Sequence, residues 1–81
     1  MFTQEDVNII KNELPTSAIM EIHERTGISR PTIYRFLKGE KIRSRFQERI
    51  YIAALKIIER DKVKTDKIKK ERSRILGKYT H

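Results

Sequence analysis

Apolar residues in this chain recur at intervals of three and four, and no stretch alternates apolar and polar residues for the length of a strand. No Asn or Asp is followed by Gly, so the strongest short hairpin signal is missing as well. This pattern predicts helices throughout and an all-α fold. A length of 81 residues suits one small domain. Ile, Leu, Val and Phe number 22 of them, enough for a folded core in a chain that is 37% charged. So short a chain has little room for a deep catalytic cleft with supporting layers around it.

The helices can be placed by their caps and breakers. Thr3 with Asp6 three residues on reads as a capping box, and Val7, Ile10 and Leu14 give the first helix an inward stripe. Pro15 ends it, because the residue before a proline avoids the helical region. Thr16 or Ser17 is expected to cap a second helix, with Ala18, Ile19 and Ile22 on its apolar face and Gly27 as its stop. Ile28 follows as a buried plug. Ser29 is expected to cap a third helix, with Pro31 in its first turn, Ile33, Phe36 and Leu37 inward, and Gly39 closing it. After a short basic loop, Ser44 and Gln47 read as the capping box of a fourth helix.

That fourth helix carries more apolar surface than one face needs. Phe46, Ile50, Ala53 and Ile57 form one stripe, and Tyr51, Leu55 and Ile58 form a second, about 100° or more around the helix. The second stripe either covers another part of the chain or forms a dimer surface. From Glu59 to Arg72, eleven of fourteen residues are charged, with no Pro or Gly before Gly77. The helix could run on through this stretch, with Ile68 and Ile75 continuing the first stripe. It could also break near Asp61–Thr65 before a fifth helix, or fray into a basic tail. A folded domain over residues 1–60 and a charged, helical or flexible segment over 61–81 are therefore expected.

The net charge is +8 and is unevenly spread. Residues 1–28 balance at −3, residues 29–60 at +6 and residues 61–81 at +5. Such asymmetry points to a polyanionic partner. The absence of Cys excludes disulfides, thiolate metal sites and Cys nucleophiles, and fits a reducing compartment. His23 and His81 are the only histidines, so no metal or other cofactor is expected. The serines sit at expected helix starts or in the charged stretch, and no glycine-rich phosphate loop exists, so no enzyme is predicted and no small-molecule ligand is evident. The longest apolar run, Ile50–Leu55, falls far short of the ~20 residues of a membrane span. Met1–Asp6 has neither a basic segment nor an apolar stretch, so no secretory signal is expected.

The most informative segment runs from Ile19 to Lys38. Gly27 is followed by the aliphatic Ile28, and apolar Ile33 and Phe36 come six and nine positions after the glycine, within the string Ser-Arg-Pro-Thr-Ile-Tyr-Arg-Phe. It resembles the helix-turn-helix of phage-repressor-like and other bacterial transcriptional regulators. Two short helices crossing through a tight turn need one residue free of Cβ strain, and the helix after the turn must bury one side and present the other. One position departs from that pattern. Four residues before the glycine, where a small residue is usual, stands His23, so either the imidazole swings outward or the helices cross more widely.

The resemblance implies a small regulator from a bacterium, phage or plasmid, cytoplasmic and nucleoid-associated, that binds double-stranded DNA with residues 30–38 in the major groove. It implies base contacts from Ser29, Arg30, Pro31, Tyr34, Arg35 and Lys38, the positions left once Ile33, Phe36 and Leu37 turn inward. Phosphate contacts are expected from Thr16, Ser17, Thr32, Lys41, Arg43 and Arg45, at helix starts and loops. Such regulators usually bind two half-sites, which makes Tyr51, Leu55 and Ile58 a candidate homodimer surface. Two rivals remain: an antitoxin or adaptor on the same frame that binds protein, and a non-specific nucleic-acid binder acting through the basic tail.

Overall fold

A computed structural model describes residues 2–77. Four helices and no strands make up these residues: α1 Gln4–Glu13, α2 Ala18–Thr26, α3 Arg30–Leu37 and α4 Ser44–Leu76. The fold is all-α, as the apolar spacing requires. α4 packs against α2 and α1, and α3 packs against the same two helices. Ile10, Ile22, Ile33, Ile50 and Ile57 are almost wholly excluded from solvent and form the centre of a single core.

The Thr3 capping box forms in both directions, with the Thr3 hydroxyl accepting from the Asp6 amide at 3.1 Å and Asp6 accepting from the Thr3 amide at 3.0 Å. The other expected caps differ. Ser17 stands at the start of α2 and Ser29 at the start of α3, but neither hydroxyl bonds a helix amide. Ser29 Oγ pairs with Thr32 Oγ1 at 2.9 Å instead. At α4 the boundary residue is Arg43, so Ser44 is already helical and the Ser44–Gln47 box does not form. Gln47 reaches back past the helix start and donates from Nε2 to the Ile42 carbonyl at 2.9 Å. A Gln three residues into a helix can satisfy the incoming loop as well as a cap, and here the half-buried Ile42 needs that loop held down.

α4 runs unbroken through Asp61–Thr65 to Leu76, 33 residues in all. The fifth helix and the frayed tail both drop out over the described residues; positions 78–81 lie outside them. At ~1.5 Å per residue this helix is about 50 Å long, which accounts for the 52 Å long axis of a body only 25 × 16 Å across.

The second stripe of α4 is mostly used inside the chain. Phe2 stacks on Tyr51, ring centroids 4.4 Å apart, and meets Phe36 edge-on at 6.1 Å. Ile58 is half-buried against the core. Leu55 alone of the three is exposed. Of the three residues expected to form a dimer surface, Leu55 is therefore open, while Ile58 is half-buried and Tyr51 is half-buried beneath the chain's own Phe2. Among the described residues, no helix is long and apolar enough to cross a membrane.

Candidate nucleic-acid interface

The turn between α2 and α3 is held by backbone geometry and two side chains. Gly27 adopts φ +73° and donates its amide to the His23 carbonyl at 2.8 Å, the left-handed ending that a Cβ would strain. The Thr26 hydroxyl donates to the Ile22 carbonyl at 2.7 Å and accepts the Ile28 amide at 3.1 Å. His23 Nδ1–H donates to the Ile28 carbonyl at 2.7 Å. Both backbone groups of Ile28 are thus satisfied by side chains of α2, while its own side chain is buried. The imidazole neither swings outward nor merely fills space; it is half-buried and fixes the residue from which α3 departs. A histidine four residues before the glycine can be read from the sequence as unusual, but its partner is visible only once the turn is folded.

α3 ends as tightly as it begins. Gly39 at φ +86° donates to the Phe36 carbonyl at 3.0 Å and Glu40 to the Arg35 carbonyl at 2.9 Å, the paired bonds of a Schellman ending. Between these two fixed ends Ile33, Phe36 and Leu37 are buried.

What remains is an outward face. Ser29, Arg30, Pro31, Arg35 and Lys38 are exposed, and Tyr34 is 51% exposed. At 3.6 residues per turn, Arg30, Pro31, Tyr34, Arg35 and Lys38 share an arc of about 140°. Ser29 sits at the helix start, tied to the half-buried Thr32. Among the described residues, Arg30, Arg35 and Lys38 form no ion pair. The ion pairs lie elsewhere: Glu21 takes Arg25 and Arg60, Asp61 takes Arg60, and Glu71 takes Arg74.

The remaining expected contacts fall into two groups. Thr16 and Ser17 are exposed at the start of α2, a nine-residue helix whose other end leads into the turn. Lys41, Arg43 and Arg45 are exposed around the α3–α4 connection, with the Arg45 guanidinium 5.4 Å above the Phe46 ring. α1 carries Glu5 and Asp6 in its first turn and α2 carries Glu21, whereas the first turns of α3 and α4 contain no acid. The partial positive charge of those two helix starts is therefore uncompensated and adds to that of Arg30, Arg43 and Arg45.

A shallow groove between the end of α2 and α4, lined by Arg25, Thr26, Arg49, Ile52, Ala53 and Lys56, was not foreseen. The signal was present in the three- and four-residue spacing of Arg45, Arg49, Ile52 and Lys56, which tallies of charge by segment do not register. Among the described residues, no group of three or more His, Asp and Glu is placed to hold a metal ion. No family model matches the chain, and no curated protein or solved structure matches it significantly.

Proposed function

We propose that this chain binds double-stranded DNA in a sequence-specific way, with α3 in the major groove, as a small transcriptional regulator of a bacterium, phage or plasmid. The observation that carries the reading is the outward face of α3. Two arginines, a lysine and a tyrosine stand there without an ion-pair partner among the described residues, on a helix fixed at both ends. A major groove about 12 Å wide admits one such helix. Arg30 and Arg35 can each offer a bidentate fork to guanine, Tyr34 can meet a thymine methyl, and Lys38 can reach a phosphate or a guanine. Thr16 and Ser17 at one end of α2, and Lys41, Arg43 and Arg45 before and at the start of α4, supply groups that fix register on the backbone without reading sequence. A regulator of this kind acts by occupying an operator, and two copies on neighbouring half-sites give it the required length of readout.

Selecting bound duplexes from a random-sequence library tests this. A recovered consensus of a few base pairs, containing guanine, is expected. Recovery of unselected sequence at physiological salt would overturn the reading.

A further inference from the structure

The bases of α4 are not scattered around the helix. At 3.6 residues per turn, one sector about 80° wide runs the length of α4 and holds nine residues. Arg45, Arg49 and Lys56 lie at its near end, Arg60 at the middle, and Lys67, Lys70 and Arg74 along its far half. The two remaining members are Ile52 and Val63, and no acid falls in the sector. α4 contains eleven bases in all, so seven of them occupy less than a quarter of the circumference. Every residue of the row is exposed. Arg60 and Arg74 have carboxylate partners; Arg49, Lys56, Lys67 and Lys70 form no ion pair among the described residues. The row spans about 44 Å from Arg45 to Arg74.

We propose that this row is a second nucleic-acid contact, a ladder of cations that lies against the phosphate backbone of duplex DNA alongside the stretch α3 reads. The inference rests on the DNA reading of α3 only for the identity of the polymer. Two features favour DNA over a protein partner. With only Ile52 and Val63 for apolar content and no aromatic residue, the row lacks the apolar and aromatic anchors on which protein interfaces are centred, and lysine is depleted there. The ladder also starts beside the groove formed with Arg25 and Thr26, residues that lead through the turn into Arg30. A polymer that follows the row past this groove lies near the turn that leads into α3. The chemistry is ion exchange: each cation that meets a phosphate releases a condensed counterion, giving affinity without sequence preference.

The test compares two triple variants of the full chain with equal charge loss. Lys56→Gln, Lys67→Gln and Lys70→Gln remove three rungs; Lys62→Gln, Lys69→Gln and Arg72→Gln remove three charges from the rest of the α4 circumference. Affinity for an arbitrary 30-base-pair duplex is measured across salt concentrations, with helical circular dichroism confirming that both variants fold. The ladder variant should lower the slope of log K against log salt by about 2–3, at ~0.9 per phosphate contact, and weaken binding about tenfold or more at 0.1 M salt. The control should change the slope by less than about 1. Equal slopes in the two variants, or no change in either, would overturn the ladder. So would a loss confined to double-stranded RNA, to single-stranded DNA or to phosphatidylserine vesicles. Failure of α3 is seen separately: a chain that selects no sequence can still show the ladder's slope, and one that selects a sequence can lack it.

Discussion

Arg60 of α4 grips Glu21 of α2 with both ends of its guanidinium, Nη1 to Oε2 at 2.6 Å and Nη2 to Oε1 at 3.0 Å. Glu21 also accepts from Arg25 Nε at 2.9 Å, one turn along its own helix. The Arg60 hydrogen bonds are the main reason the Glu21 carboxyl is held below the ordinary glutamate range, with Arg25 adding to them. A depressed carboxylate stabilises the folded chain above its unfolded pKa, and that contribution disappears as pH falls through the folded value. Wild type should therefore lose melting temperature on acidification through and below the ordinary glutamate range. Glu21→Gln should start lower at neutral pH and lose less, so that the two curves converge in acid. Thermal melts from pH 7 to pH 2.5 read this directly; parallel curves would show that the pair contributes nothing.

Removing either fork from α3 should leave the fold intact and weaken DNA binding. Arg30→Ala and Arg35→Ala are each expected to cost about 1–3 kcal/mol on a selected operator and to relax preference at one or two base pairs. Their melting temperatures should stay at the wild-type value, because both side chains are exposed and form no ion pair among the described residues. Titration of operator and single-base variants is the measurement. Wild-type affinity in both would move the reading face elsewhere.

Gly27 separates backbone strain from crowding. A Cβ built there meets nothing within 4 Å, so any loss on substitution comes from φ +73° alone. Gly27→Val should cost about 1–2 kcal/mol, and Gly27→Asn less, since asparagine enters the left-handed region more readily. Chemical denaturation of the three proteins gives the order Gly, Asn, Val; equal stability would mean that the turn relaxes to another conformation.

His23→Ala deletes the donor to the Ile28 carbonyl and leaves that oxygen at a half-buried site. About 1 kcal/mol of destabilisation is expected, or a fall of ~4–8 °C in melting temperature for a domain of this size. A double variant with Thr26→Ala, which removes the hydroxyl on the Ile28 amide, should show non-additivity, since both groups hold one residue.

Leu55→Glu tests what the open residue of the second α4 stripe does. The side chain is 46% exposed, so stability should shift by no more than about 0.5 kcal/mol. If two copies pair through it on adjacent half-sites, cooperative DNA binding is lost while the fold persists. Sedimentation of wild type and variant on and off DNA distinguishes that outcome from identical behaviour.

Much of this architecture is legible in the sequence because the spacing of Val7, Ile10, Ile22, Ile33, Phe36, Ile50 and Ile57 allows one helical packing, and Pro15, Gly27 and Gly39 punctuate it. The α3 face followed by subtraction from its three apolar residues. The caps were less legible: Ser17, Ser29 and Ser44 all have the right side chain. Whether a hydroxyl bonds a helix amide depends on the loop's approach angle, which is set by contacts outside the capping pattern such as that of Gln47 with Ile42. The packing of Tyr51 was hidden for a similar reason. Its cover is Phe2, nearly fifty residues away, and no periodicity within α4 announces that partner. The α4 ladder lay within reach, in the angular position of each base.

The half of α4 beyond Lys62 is exposed at every residue, Ile68, Ile75 and Leu76 included. Its helicity is therefore borrowed. Propagation from an anchored turn avoids the cost of nucleation, which an isolated segment of that length would have to bear. Protection of backbone amides against exchange should accordingly decline outward from Ile57, with the distal turns opening without disturbing the core. A polymer that neutralises the lysines there would relieve their mutual repulsion. The same chain then joins a packed core to an arm whose helicity a bound polyanion would reinforce.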